Sequence, residues 1–507
     1  MLIETIHQTE IGGWMYQRAV PLGGREGQLP PDSIFRPRVE NCALAIREDK
    51  AGIILQTWRL EWKADMIRRG RELGAVELKS MDDAHLVAHL AETKTFLHDC
   101  LRKHMLINNA VQLMLAEHAF LCRDALGWEE QELMSLFGGL SAMSSEPAIA
   151  IAELGRHART RPTFMKALEA GASLSELLDM DETFSRMFQK YQEEYGCRAL
   201  RCELSFPTIA EMPELLFGLL RDQLFGGYQP DREERELEQK RREQEAKARA
   251  GLRGQTLDIF IRTLVRARDA YPVREEHGFY DRDLPLALLR YAYLEAGRRM
   301  VNRDQLADVP AVFHLEWEEV RAGLQHREPL FNLVQQRETE HKEALDHPGP
   351  DHYGSPSPPS TLPDGLPEEV YFQIRAQQWT MEHAMIAPMR RSGEQDAHQL
   401  QGLAASGGVY RGTVRIVRNE SEFHRIRRGD VLVCPIASPV WSILFPSIGA
   451  LVTEFGGILS HAAIIAREYQ LPAVVAVDHA ITTLKDGQLV EVDGERGTVK
   501  RILVGGD

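Results

Sequence analysis

Between about residues 48 and 345 the apolar positions recur at three- and four-residue intervals. In HLVAHLAETKTFLHDCLRKHMLINNAVQLMLAEHAFLCRDALG the Leu, Phe and Met positions form one continuous stripe, a period that predicts helices packed on a common core. One segment departs from it. DREERELEQKRREQEAKARA (231–250) has almost no apolar stripe but many opposite charges four residues apart, which predicts a solvated helix acting as a connector. The stretch HPGPDHYGSPSPPSTLPDGLP (347–367) predicts a loop, because proline removes backbone donors and fixes φ. Past a second polar segment, RRSGEQDAHQLQG (390–402), the period changes. VRIV (414–417), DVLVCP (430–435), ALVTEF (450–455), AVVAV (473–477) and LVEVDGERGTVKRI (489–502) read as short strands.

This pattern predicts a multidomain chain, a large all-α domain followed by a small α/β domain. The expected boundaries are an irregular, turn-rich segment at 1–45 packed on the helices, the helical domain at 46–389 with its Pro-rich loop at 347–367, a linker at 390–401, and the α/β domain at 402–507. A small domain behind a polar linker can move as a unit.

Composition narrows the function. The chain has 507 residues, too many for one core and in keeping with several domains. Hydrophobic residues at 43% and charged residues at 27% are those of a soluble globular protein, and no apolar run reaches the roughly 18 residues of a membrane helix. The N-terminal residues carry no signal- or transit-peptide pattern, and the six cysteines include no CxxC pair, which argues against a disulfide framework and a thiolate zinc site. A cytoplasmic protein is expected. The net charge of −15 opposes the attraction on which nucleic-acid binders rely. That acidity lies wholly before residue 401, since residues 401–507 carry equal numbers of acidic and basic side chains.

The segment richest in chemistry is ALVTEFGGILSHAAIIAREYQLPAVVAV (450–477). A strand runs into Gly456-Gly457, Ser460 is placed to cap a helix, His461 falls in its first turn, and Pro472 closes the unit. Such a helix start favours an anion, above all a phosphate. The positive end of the dipole disfavours imidazolium, and neutral imidazole is the nucleophilic form. Thr453 and Ser460 offer hydroxyl donors to phosphoryl oxygens, Gly456 and Gly457 leave backbone N–H groups accessible, and Arg467 lies two turns on. Other clusters carry less. His85 and His89 lie four apart without the glutamate of HExxH, DMDETF (179–184) has acids of the kind that begin helices, and Cys434 reads as core. No metal site is expected.

Residues Thr453 through Glu468 read T-E-F-G-G-I-L-S-H-A-A-I-I-A-R-E, which resembles the phosphohistidine signature of the mobile, swivelling domain of phosphoenolpyruvate-utilising enzymes. SPVWSILFPSIGALVTE and GLAASGGVYRGTVRIV extend the likeness over 402–507. The resemblance implies that His461 is phosphorylated and ferries the group between active sites. More faintly, YGCRALRCELSFPTIAEMPELL (195–216), YPVREEHGFYDRDLPLALLRYAYLEAGRRMV (271–301) and DVPAVFHLEWEEV (308–320) resemble the substrate-binding helical domain of rifampicin phosphotransferase and its relatives, including phenylphosphate synthase. There an Arg-Glu pair on one helix is followed by a lysine, and the Arg and Lys face the phosphohistidine and acceptor. Here the pair is Arg274-Glu275, the lysine position is Gly278, and His277 stands beside it. An Arg fork suits phosphoryl oxygens, and a nearby histidine can take a proton from a hydroxyl. Arg274, His277 and Arg198 are therefore acceptor-side candidates, each with a structural alternative in ion pairs or surface placement.

No GxxxxGK[ST] loop and no stretch like an ATP-grasp domain stands in the sequence. The resemblance then implies a split, dikinase-type phosphotransferase. ATP and Mg²⁺ would be bound by an ATP-grasp-containing partner chain, ATP would yield AMP and phosphate, and phospho-His461 would pass its group to a small hydroxylated acceptor. A phenol is the first expectation and an antibiotic hydroxyl the next, while pyruvate is not expected because no phosphoenolpyruvate-binding barrel follows. A regulatory phosphocarrier that passes phosphate to a protein is the alternative of a different class.

Overall fold

A computed structural model describes residues 3–11, 14–21, 32–201, 203–214, 216–218, 221, 230–347, 349–350, 353, 365–384 and 399–502. Most of the Pro-rich loop at 347–367 and residues 390–398 of the linker at 390–401 lie outside the described residues. Among those described, no helix is long and apolar enough to cross a membrane. The chain divides into two compact units, residues 1–102 with 288–376 and residues 103–287 with 377–507. The helical stretch at 46–389 contributes to both.

In the first unit the opening residues correct the expectation of irregular structure. Strands β1 (Ile3–Ile11) and β2 (Trp14–Pro21) pair antiparallel, and a helix follows at Asp32–Arg47. The sequence signal for a hairpin, two alternating runs around Gly12-Gly13, was weak because polar residues sit on both faces. Trp14 Nε1 donates to the Ala344 carbonyl at 2.9 Å. Farther along, Arg299 and Arg303 converge on Asp83 at 3.1 and 2.7 Å, and Arg299 also donates to the carbonyls of Leu78 and Met81. With Glu295 Oε1 at 3.0 Å from its Nε, two acids and two carbonyls thus satisfy the Arg299 guanidinium.

The second unit is a mostly helical layer ending in the α/β domain. Its strands are β3 (Gln399–Gln401), β4 (Leu403–Ser406), β5 (Val409–Ile416), β6 (Val431–Cys434), β7 (Ala450–Thr453), β8 (Ala473–Val475), β9 (Leu489–Asp493) and β10 (Thr498–Arg501). They form one sheet in the order β3-β10-β9-β5-β6-β7-β8-β4. The pairs β5–β6, β6–β7 and β7–β8 are parallel, and β6, β7 and β8 are buried at every position. Continuous apolar runs such as VLVC and ALVT suit strands covered on both faces.

On one face Val414, Val433, Val452, Val474 and Val492 pack together. On the other, Leu432, Trp441, Phe445, Leu451 and Ile465 join a cluster that continues without a break into Ile151, Leu154, Phe184 and Tyr191 of the helices. The α/β domain therefore docks on the helical layer through a shared apolar core, and Ser438 Oγ donates across it to the Leu200 carbonyl at 3.1 Å.

The charged helix Pro230–Gly251 is more than an exposed connector. Its outer face is solvated, but Leu237 and Ala248 are buried, Arg241 donates to the Gly138 carbonyl, and Lys240 and Glu236 both bond to Gln470 of the α/β domain. Among its described residues only these two apolar ones are buried, too sparse a stripe for the periodicity to reveal.

Leu432 is fully buried in the shared cluster. Leu432→Ala is expected to lower unfolding stability by about 2–5 kcal/mol through lost burial and a residual cavity, which urea titration of the second unit's transition checks.

Candidate functional site

The site is built where β7 ends. Thr453 closes the strand, the chain passes through Gly456-Gly457, and Ser460 starts the helix His461–Glu468. Ser460 Oγ accepts from the Ala463 amide at 3.3 Å, the N-cap expected from sequence, and leaves His461 as the first helical residue. Gly456 takes φ +116°, a backbone state that side-chain-bearing residues rarely adopt. Gly457 is required by a close approach: a Cβ there would lie 1.9 Å from the His383 carbonyl oxygen, which also accepts from the Leu459 amide at 2.9 Å.

One expected phosphate contact is revised. The Thr453 hydroxyl is buried and donates to the Phe455 carbonyl at 2.8 Å, so it shapes the loop. Gly457 seats the loop against the end of the helix Glu368–Ala384. Arg467 is a brace, its two Nη atoms donating to the carbonyls of Ala405 and Ile458.

His461 is about one-third exposed, and its Nδ1 lies 2.6 Å from Oε2 of Glu275. Glu275 stands on the helix Gly254–Gly278 and is buried. Burial pushes its carboxyl up, but the charge and hydrogen bond of His461, with Arg274 and His277 nearby, outweigh that and hold it at about 2. The other carboxylate oxygen, Oε1, is buried without a hydrogen-bond partner.

Beside it, Arg274 directs Nε and Nη2 to the Leu459 carbonyl at 3.1 and 2.6 Å. The Arg-Glu pair thus grips the histidine loop at two points, the fork on its backbone and the carboxylate on its imidazole. Sequence reasoning placed Arg274 here but treated Glu275 only as an ion-pair partner. The direct contact joins residues 186 apart in the chain, which no local pattern encodes.

His277 is buried and its Nδ1 lies 2.8 Å from Asp281 Oδ2, while His104 Nδ1 lies 2.9 Å from Asp281 Oδ1. Asn108 Nδ2 donates to His104 Nε2 at 2.8 Å, so the His104 proton sits on Nδ1 and is donated to Asp281. Burial, the largest influence, lowers the His277 pKa against the opposing pull of Asp281. A π-helical turn at Phe279–Asp283 places Asp281, and such turns concentrate at functional positions.

His104, Asp281 and Asn108 were not singled out from sequence, although His277/Asp281 and His104/Asn108 each have the i,i+4 spacing of helix-face neighbours. Among the described residues, His104, His277 and Asp281 are the grouping able to hold a metal, their ligand atoms lying within 4.8 Å of one another. The two hydrogen bonds to one carboxylate account for the convergence with protons alone.

Two other expectations resolve differently. Arg198 is buried between the rings of Tyr195 and Phe279, 5.8 and 5.4 Å from their centroids, and donates to the Met143 carbonyl at 3.0 Å. These contacts make it a packing residue. At Gly278, the position where the resemblance implies a lysine, the Arg282 guanidinium lies over the backbone, Nη2 being 3.6 Å from where a Cβ would stand. Of the weaker clusters, Asp181 caps the helix Glu182–Tyr195 by accepting from Phe184 N. Cys434 is fully buried, and burial raises its thiol pKa. His89 is buried and His85 is exposed beside Asp82.

One acid in the signature helix is unusual. Glu468 is buried, accepts from the Gly139 amide at 2.9 Å through Oε2, and has no partner for Oε1. Burial raises its pKa to about 7, against the lowering pull of the Ser141 and Gly139 amides, Arg467 and Arg241.

Residues 426–497 match the family model described as PEP-utilising enzyme, mobile domain, and residues 104–275 match that of the rifampicin phosphotransferase fourth domain. The resemblances read from the sequence hold for both parts, and the architecture is a mostly helical region followed by a small α/β domain of the mobile-domain type. Chondramide synthase cmdD of Chondromyces crocatus is 28% identical over 96% of this chain and 12% of its own length. The uncharacterized phosphotransferase YvkC of Bacillus subtilis is 28% identical over 64% of this chain and 37% of its own. A rifampicin phosphotransferase of Streptomyces sp is 28% identical over 71% and 40%. The chain thus spans 40% or less of the length of these relatives.

The raised pKa of Glu468, about 7 against 4.5 in the unfolded chain, means that the folded protein keeps a proton the unfolded chain has lost. Its contribution to stability is complete below about pH 4.5 and is lost as pH rises through about 7. Glu468→Gln should match the wild type in thermal midpoint near pH 4.5 and exceed it at pH 8. Parallel midpoints at both values would contradict the assignment.

Proposed function

We propose that this chain is the phosphocarrier and acceptor-binding part of an ATP-dependent phosphotransferase, with His461 as the carrier. The observation that carries the reading is the 2.6 Å contact between His461 and Glu275, which docks the signature histidine on the Arg-Glu helix. In this reading ATP and Mg²⁺ are bound by an ATP-grasp-containing partner, which loads His461 and releases AMP and phosphate. The α/β domain then returns to the helical layer and gives the phosphoryl group to a hydroxyl. Such a relay needs mainly positioning and charge stabilisation.

The acceptor in this reading is a small hydroxylated aromatic molecule, a phenol first. The likeness to rifampicin phosphotransferase favours an antibiotic hydroxyl as the second reading. Both place the phosphate on a small molecule, whereas a regulatory carrier would place it on a polypeptide.

Two variants divide the steps. His461→Ala should reduce phosphoryl transfer from Mg-ATP, in the presence of the partner, to background while the circular-dichroism spectrum stays that of the wild type. Retained transfer would remove the central assignment. Arg274→Ala should load His461 at the wild-type rate but discharge it about 100-fold more slowly, because the docked histidine loop loses the fork that holds the Leu459 carbonyl and with it the aligned geometry. Rapid-quench measurement of the two half-reactions separates these, and equal loss in both would count against an acceptor-side role.

A further inference from the structure

The docked pair also bears on which nitrogen holds phosphate and on when the phosphorus–nitrogen bond becomes labile. An ionised carboxylate is only an acceptor. With Oε2 of Glu275 at 2.6 Å from His461 Nδ1, Nδ1 must carry the proton and Nε2 is the nitrogen left for phosphorus. Glu275 is buried and its Oε1 has no hydrogen-bond partner, so the Nδ1 proton is the contact that compensates its charge, and removing that proton would leave a buried anion poorly satisfied.

We propose that Glu275 is a positioning residue that primes phospho-His461 for release, holding a proton on Nδ1 only while the α/β domain is docked. This rests on the phosphocarrier reading. In the transfer, the acceptor hydroxyl oxygen forms a bond to phosphorus and the phosphorus–Nε2 bond breaks. Its electron pair returns to Nε2, which takes the hydroxyl proton, and the product is an imidazolium paired with ionised Glu275. Away from Glu275 the phosphoimidazole keeps Nδ1 unprotonated above its own pKa, the leaving group would be an imidazolate, and the bond persists. One carboxylate thus keeps the group on the carrier in transit and releases it at the acceptor side.

The other titratable groups around the pair are Arg274, Tyr271 and His277 on the helix of Glu275, and Arg467 and Glu468 on that of His461. Burial keeps the Tyr271 hydroxyl and the His277 ring neutral and lowers Arg274 from its ordinary value, and Glu468 titrates near 7. The comparison is therefore made between proteins that all retain Glu468.

The full chain would be loaded chemically with potassium phosphoramidate, the phosphate located by peptide mass spectrometry, and its loss to water followed from about pH 6 to about pH 9 in wild type, Glu275→Gln and Glu275→Asp. Wild-type discharge should vary little over this range. Glu275→Gln should fall about tenfold per pH unit above the pKa of the phosphoimidazole, reaching a deficit on the order of 100-fold at the alkaline end, and Glu275→Asp should recover part of it. Long-range proton–nitrogen spectra of loaded wild type should place phosphorus on Nε2 and the proton on Nδ1. The same pH profile in wild type and Glu275→Gln, or phosphate on Nδ1, would overturn the proposal. Failure of His461 to accept phosphate in any of the three proteins would instead sink the carrier reading beneath it.

Discussion

The hydrogen bond between His461 and Glu275 is the constraint around which the second unit is arranged. It brings together an imidazole at the start of a short helix and a carboxylate from the middle of the chain, and it does so out of water, where a carboxylate without a donor is costly. The contact is affordable because the surroundings hold both partners. Arg274 fixes the backbone of the histidine loop through the Leu459 carbonyl, Arg467 braces that loop from behind, and Gly457 lets it lie directly on the His383 carbonyl. Several groups expected to meet phosphate are used to place the histidine.

This arrangement has a consequence for movement. The sheet and the helices share one apolar cluster, from Phe184 and Tyr191 through Trp441 to Ile465, and Glu468 and Gln470 add polar ties to the loop at Gly139 and the helix Pro230–Gly251. A carrier that leaves this seat exposes apolar surface and frees two buried carboxylates, Glu275 and Glu468, whose pKa values lie on opposite sides of the ordinary glutamate range. A carrier that left this seat would give up the Glu468 proton between about pH 4.5 and 7, while Glu275, ionised in both states over that range, would exchange none.

Much of this was legible in the sequence. The run from Thr453 to Glu468 fixes a strand, a glycine turn, a serine cap and a helix by short-range rules, and the structure reproduces each. The buried parallel strands were readable as apolar runs between turn signals. What escaped were pairings between distant residues. Glu275 and His461, or His104 and Asp281, meet only because segments far apart in the chain pack together, and neither partner carries a local mark of the other. The opening hairpin escaped because its alternation has no consistently apolar face, and the docked edge of the charged helix because it rests on two apolar residues in twenty-two.

Phosphorylation of His461 is tested most directly by intact-protein mass spectrometry at mildly alkaline pH. The chain would be incubated with Mg-ATP labelled at the β-phosphate, with and without an ATP-grasp-containing partner. The account predicts one acid-labile phosphate, located at His461 and present only with the partner. A phosphate on any other residue, or none in the presence of a partner that turns over ATP, would contradict it.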